Sequence, residues 1–344
     1  MDSLRGGCDC FATTGTANAS AIAARSTGKT DHRNLIENRA RKFHIQRVTQ
    51  SLKSYFLSAS LALAGVATAQ AQLTALESVQ VPGNGDAVAF KTSFDRGELF
   101  LLKASGAVVL GQETLDAEYE SSGAAATGTD VVAGVDVGID TGLKAPREPK
   151  GVLPGRAKWF GSYRADHIYY LIATGTGQPL TLKLITGDNR VGTGAITVSL
   201  FRLSPAPAAL PKPLETMQVS VLEETVQTTM TTSNSAIYLL QASGSGKVGG
   251  GGLGRGDAEY MDFKADGSGA EDVGDRNIDY GLGVDEADLT KSPRQNWWGP
   301  FRLDHTYYML FSGTGQPIHF HYYDAGYGDN SPTDRLTVNV FTVP

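Results

Sequence analysis

The chain contains two copies of one segment. WFGSYRADHIYYLIATGTGQP (159–179) aligns without a gap on WWGPFRLDHTYYMLFSGTGQP (297–317), with 12 of 21 positions identical. Upstream, LLKASG (101–106) answers LLQASG (239–244) at the same offset of 138, and DAEY (116–119) answers DAEY (257–260). IDTGL (139–143) is paired with IDYGL (278–282), and the carboxyl ends ITVSLF (196–201) and LTVNVF (336–341) also correspond. The blocks keep their order and change offset by a few residues, as loop insertions require. A period this long describes a tandem pair and not a solenoid, whose units run 20–45 residues. The expected domains are 72–203 and 214–344, each of ordinary single-domain size. Between them SPAPAALPKP (204–213), with four prolines, reads as a semi-rigid extended linker.

Inside each copy the signals are those of strands. Glu98 to Leu102, His167 to Ala173 and Ala195 to Leu203 are short apolar or alternating runs, as are Ala236 to Leu240, His305 to Phe311 and Leu336 to Val343. Gly, Asp and Asn clusters separate them at about ten-residue intervals, the spacing of a sandwich or barrel. Glycine, 41 of 344 residues, recurs without a three-residue period, which excludes collagen. No stretch after residue 71 combines three helical turns of apolar i, i+3, i+4 spacing with caps. The expected fold class is all-β.

The amino-terminal segment has a different character. LKSYFLSASLALAGVATAQA (52–71) carries a basic flank at Lys53, an apolar run from Tyr55 to Val66 and small-x-small cleavage sequences, the anatomy of a secretory signal peptide. The run is shorter than the ~20 residues of a membrane anchor. We therefore expect a signal peptide over 48–71, with 1–47 a mis-called extension or a long leader, and a secreted, periplasmic or cell-surface product. Residues 1–69 hold nine of the 30 Lys/Arg and four of the 36 Asp/Glu, so the remainder carries −11. That balance argues against nucleic acid and anionic membrane as partners and suits divalent cations and neutral ligands. Cys8 and Cys10 leave with the leader, so no disulfide supports the mature chain.

Three constellations could carry chemistry. The loop Tyr323-Asp324-Ala325-Gly326-Tyr327-Gly328-Asp329-Asn330-Ser331 offers three side-chain oxygen donors in Asp324, Asp329 and Asn330, with glycines that let carbonyls turn inward. Calcium takes six to eight such oxygens; an Asx/Gly turn bonding its own backbone is the alternative. The repeated R-x-D-H-x-Y-Y block (Arg164, Asp166, His167, Tyr169, Tyr170; Arg302, Asp304, His305, Tyr307, Tyr308) reads as core and turn fixing, with Arg302 and Asp304 as an ion pair. No activated nucleophile or G-x-S-x-G elbow accompanies it, so an enzyme is not expected. His319 and His321 share one strand face near Asp324, where a zinc site competes with a plain exposed face. Trp159 and Trp297 are expected in the core, while Trp298 divides evenly between core and sugar stacking.

The loop with its following strand, YYDAGYGDNSPTDRLTVNVF, resembles the calcium and sugar loop of bacterial PA-IL-type galactose-binding lectins, in which an acidic residue and a Tyr-Gly-Asn-Asn-Ser-Gly stretch precede the last strand. The family's Ala-x-Gly-x-x-x-x-Gly segment is similar to Ala104-Ser105-Gly106 to Gly111 and to Ala242-Ser243-Gly244 to Gly249. The resemblance implies a jelly-roll, galactose-binding-like β-sandwich in each repeat. It also implies Ca2+ held in repeat two by Asp324, Tyr327, Asp329, Asn330 and the carbonyl of Val248 (Leu110 in repeat one). Asp257, Glu259 and Tyr260 fall where the family contacts its ligand, and with Asp324, Asn330 and Trp298 they are the expected carbohydrate contacts. Repeat one has Thr186 in place of Asp324 and Arg190 nearby, so its cation site is expected to be the weaker. A secreted carbohydrate-binding protein, with homo-oligomerisation possible, is the resulting expectation; a structural or adhesive envelope protein without a sugar site is the alternative.

Overall fold

The computed structural model describes residues 73–122, 127–143, 160–204, 210–249, 254–264, 268, 280–285, 298–324 and 326–344. The extension 1–47, the signal peptide 48–71, Trp159 and Trp297 lie outside the described residues. Among the described residues no helix is long and apolar enough to cross a membrane. Residues Ala69–Pro344 group as one compact unit.

The fold is all-β. In chain order the first copy forms β1 (Glu77–Pro82), β2 (Val88–Ser93), β3 (Leu99–Ser105), β4 (Val108–Leu110), β5 (Glu113–Leu115) and β6 (Glu120–Ser122). It continues with β7 (Val131–Val132), β8 (Val135–Asp136), β9 (Gly138–Asp140), β10 (Ile168–Thr174), β11 (Pro179–Ile185) and β12 (Ala195–Arg202). The second copy forms β13 (Glu215–Ser220), β14 (Thr225–Gln227), β15 (Ile237–Ser243), β16 (Gly246–Lys247) and β17 (Arg255–Gly256). It closes with β18 (Gly281–Val284), β19 (Thr306–Ser312), β20 (His319–Tyr323) and β21 (Arg335–Thr342). A four-stranded sheet β1-β12-β3-β10 and a three-stranded sheet β2-β11-β9 recur as β13-β21-β15-β19 and β14-β20-β18. Every pairing in them is antiparallel.

Alternation along the strands explains this arrangement. On β12 the buried residues Ile196, Val198 and Leu200 alternate with Thr197 and Ser199, as a half-buried strand requires. They join Val81, Phe100 and Leu102 of the same sheet and Phe90, Ile139, Leu182 and Leu184 of the other in one buried cluster. In the second copy Val219, Leu240, Val338 and Val340 meet Leu282, Phe320 and Tyr322 in the same manner. Outward residues pair across strands through hydrogen bonds, Ser78 with Ser199 at 2.8 Å and Gln218 with Thr337 at 3.0 Å. Strands β3 and β15 break the alternation. Leu99, Phe100, Leu101 and Leu102 are all buried, as are Tyr238, Leu239 and Leu240, because a third cluster covers the outer face there.

A glutamate staples the two sheets in each copy. The Glu77 carboxylate accepts the amides of Lys91 and Thr92 at 2.9 Å, and Glu215 accepts those of Thr229 (2.8 Å) and Met230 (3.0 Å). The amide of Lys91 holds the Glu77 carboxyl below its usual range.

One expected correspondence is corrected. Register makes Gly138-Ile139 the counterpart of Gly281-Leu282: Gly138 pairs with Ile185 and Gly281 with Tyr323, while Ile139 and Leu282 each donate an amide to an alanine carbonyl, Ala117 or Ala258. Gly138 has φ +108° and Gly281 +100°, and a Cβ on either would meet that alanine's carbonyl oxygen at under 3 Å, 2.4 and 2.5 Å. Only glycine satisfies both demands. The IDTGL/IDYGL match is therefore a similarity of letters displaced by a loop-length difference.

Candidate functional site

Two repeated motifs distant in sequence meet in space. In each copy the DAEY aspartate is buried, Asp116 at 1% and Asp257 at 0% exposure. One oxygen of Asp257 accepts the amides of Glu259 (2.9 Å) and Tyr260 (2.8 Å). The other accepts His305 Nδ1 and the Tyr307 hydroxyl, both at 2.8 Å. Asp116 does the same with Glu118, Tyr119, His167 (2.7 Å) and Tyr169 (2.9 Å). Four donors compensate a carboxylate taken out of water, and since a carboxylate can only accept, the histidine carries its proton on Nδ1. Burial, first, and the adjacent aspartate push both tyrosine hydroxyls up, so they remain donors. The histidines sit at φ +50° (His167) and +46° (His305), ending a turn before the strand. Strand alternation thus begins only at Ile168 and Thr306, and the histidine faces the DAEY aspartate from another segment. The Arg302–Asp304 pair forms as expected, through Nε at 3.1 Å and Nη2 at 3.0 Å.

Three of the expected ligand contacts lie in the interior. Asp257 and Glu259 are wholly buried, and Glu259 Oε2 accepts the Trp298 amide at 2.7 Å. Trp298 is 2% exposed and its indole N–H donates to the Leu282 carbonyl at 2.7 Å. The Glu118 bond to the Phe160 amide at 3.1 Å repeats the arrangement in copy one. Tyr260 is half-buried, edge-on to Phe301.

The loop before β21 divides into two clusters. Tyr327 opens a single 3-10 turn, Tyr327–Asp329. Its hydroxyl donates to the Tyr322 carbonyl (2.8 Å), accepts the Asp324 amide (3.3 Å) and lies 3.4 Å from His321 Nε2. Burial pushes that phenol up to about 12. Asp324 Oδ1 accepts the Gly326 amide at 3.3 Å, an Asx turn. His321 is buried, which depresses its pKa, and Glu223 pulls weakly the other way. His319 sits by Asp285 (3.3 Å), half-buried and apart from this turn.

The second cluster is centred on Asn330. This side chain is 8% exposed, and its Nδ2 donates to the Val221 carbonyl at 2.6 Å. Its Oδ1 is buried with no hydrogen-bond partner among the described residues. Ser331 donates to the Lys247 carbonyl (2.9 Å) and Lys247 to Asp334 (2.8 Å), which sets Asn330 beside the segment carrying Val248. Val248 itself is buried and its amide donates to Gly254. Asp329 is exposed. Among the described residues no group of three or more His, Cys, Asp or Glu could hold a metal ion, so a cation here would need Asn330 and backbone carbonyls in its shell.

Copy one fills the corresponding region with an arginine. Arg190 is bonded to Glu113, to both oxygens of Glu120 at 2.6 Å and to Asp188 at 2.6 Å. Arg190 holds the Glu113 and Asp188 carboxyls below their usual range, and Glu120 foremost stabilises the guanidinium's charge. The DAEY alignment puts Met261 where Glu120 stands, so copy two lacks this counter-charge. Sequence reasoning placed Arg190 near the loop but missed Glu113 and Glu120, because 70 or more residues separate them from it. Comparison with protein-family models, curated proteins and solved structures finds no match to this chain.

Proposed function

We propose that the protein is an exported tandem β-sandwich that binds carbohydrate through a Ca2+ held by the loop before β21. The observation that carries this reading is Asn330 Oδ1, a buried acceptor without a donor among the described residues, beside the Val248 segment and on the same loop as Asp324 and Asp329. Buried side-chain oxygens are nearly always satisfied, and a cation is one group that satisfies them. Asn330, Asp324, Asp329 and backbone carbonyls are oxygen donors of the type calcium takes. The residues fit that chemistry, and the resemblance of the loop to the PA-IL-type lectins points the same way. When bound, the ion would offer open coordination positions to vicinal sugar hydroxyls. In copy one the Arg190 guanidinium already neutralises the local carboxylates, so a single functional loop per chain is the reading.

The test is thermal unfolding with and without millimolar Ca2+, followed by glycan-array retention with and without chelator. Calcium should raise the Tm of the wild type and leave Asn330→Ala unchanged, and retention should vanish on chelation. A calcium shift without retention on any glycan would favour the second reading, a structural or adhesive envelope protein whose cation stiffens a loop. That reading draws on the commitment of Asp257, Glu259 and Trp298 to internal bonds.

A further inference from the structure

We propose that the outer faces of the two four-stranded sheets form a reciprocal interface that holds the copies together without the linker. Its apolar part is the third buried cluster, in which Leu99, Leu101 and Phe201 of the first copy meet Leu239, Tyr308 and Phe341 of the second. These residues occupy β3 and β12 in one copy and β15, β19 and β21 in the other, so the same sheet face is used from both sides. That is the isologous geometry of a two-fold dimer.

The polar contacts are reciprocal as well. Arg164, already bonded to Asp166, extends Nη1 to the carbonyl of Ser235 at 2.7 Å. Arg302 extends Nη1 to the carbonyl of Gly97 at 2.8 Å. Arg164 and Arg302 are separated by 138 residues, and so are Gly97 and Ser235. Each arginine therefore grips the equivalent turn of the other copy. Tyr170 donates to the Pro344 carbonyl (2.6 Å) and Tyr308 to the Leu203 carbonyl (3.1 Å), tying each copy's closing strand to its neighbour. The R-x-D element of the repeated motif thus acts across the interface: the aspartate fixes the guanidinium and the free edge of the fork reaches the other copy. The occupant of the apolar part of each face is the other copy.

A specific protease site inserted within 205–209 of the full chain tests this, with scission verified on a denaturing gel. The cut halves should stay together in gel filtration at about 1 µM, since removing the tether removes an effective concentration in the millimolar range and leaves only the interface. Arg164→Ala with Arg302→Ala, checked for a native circular-dichroism spectrum, should weaken the association of cut halves at least ~10-fold, the effect expected from charge-assisted bonds. Halves of the wild type that separate in native buffer would overturn the proposal. A weakening below twofold in the arginine variant would overturn the clamp.

Discussion

Asp257 illustrates how much of this protein rests on single buried acids. Removing its carboxylate strands two backbone amides, His305 Nδ1 and the Tyr307 hydroxyl together. Asp257→Ala should cost ~3–5 kcal/mol in urea unfolding, the range for breaking a buried charged network, and Asp116→Ala should cost a similar amount. A loss below ~1 kcal/mol would show that the network is not structural. His321 gives a different prediction. Its folded pKa lies below the ordinary 6.5 because burial disfavours the cation. The unfolded chain then binds the proton first, so stability present above about pH 6.5 declines as pH falls through that value. The groups around it are Thr225, Tyr327, Tyr323 and Glu223. A Tm series from pH 7.5 to 5 should slope less in His321→Gln than in the wild type; equal slopes would dismiss the effect. The donors themselves were readable as repeated letters. That the DAEY aspartate serves the R-x-D-H histidine was not, because 48 residues separate them and nothing local joins the two motifs.

At the level of elements, loop geometry separates the two copies. Gly281→Ala would place a Cβ against the Ala258 carbonyl at a positive φ, and we expect a loss of at least ~1–3 kcal/mol by denaturant titration. The same substitution at Gly326, which meets nothing nearby and has extended φ, should be close to neutral. In copy one, Arg190→Gln should lower Tm at low ionic strength, and part of the difference should fade in ~1 M salt as screening weakens the half-exposed pairs with Glu113 and Asp188 more than the pair with buried Glu120. Because the Glu113 and Asp188 pKa values are lowered, the Arg190 contribution is present above the unfolded carboxylate range. It disappears as pH falls through the folded values. An Arg190→Gln chain with an unchanged melting curve at low salt and neutral pH would contradict this. Strand positions were legible here to within a few residues, since period-two burial is written in Ala195–Arg202 and Arg335–Thr342. The β9 and β18 pairing was not, because a glycine chosen for backbone approach leaves no hydrophobic pattern.

For the molecule as a whole, the third cluster and the crossed arginines couple the copies. Differential scanning calorimetry of the chain should therefore give one transition whose van't Hoff and calorimetric enthalpies agree, whereas two resolved transitions would mean independent domains. The sequence by itself determined the duplication, the all-β class, the acid-rich loop ahead of β21 and the R-x-D ion pairs, because each is local or periodic and each survives in the order of residues. Only the tertiary structure decided that Asp257, Glu259 and Trp298 are interior and that Asn330 is buried. Contacts alone likewise set Arg190 among Glu113 and Glu120, and Leu101 and Leu239 between two sheets. Burial and pairing across 48 to 205 residues depend on how strands stack, and no one-dimensional pattern records which face of a sheet its twin will cover.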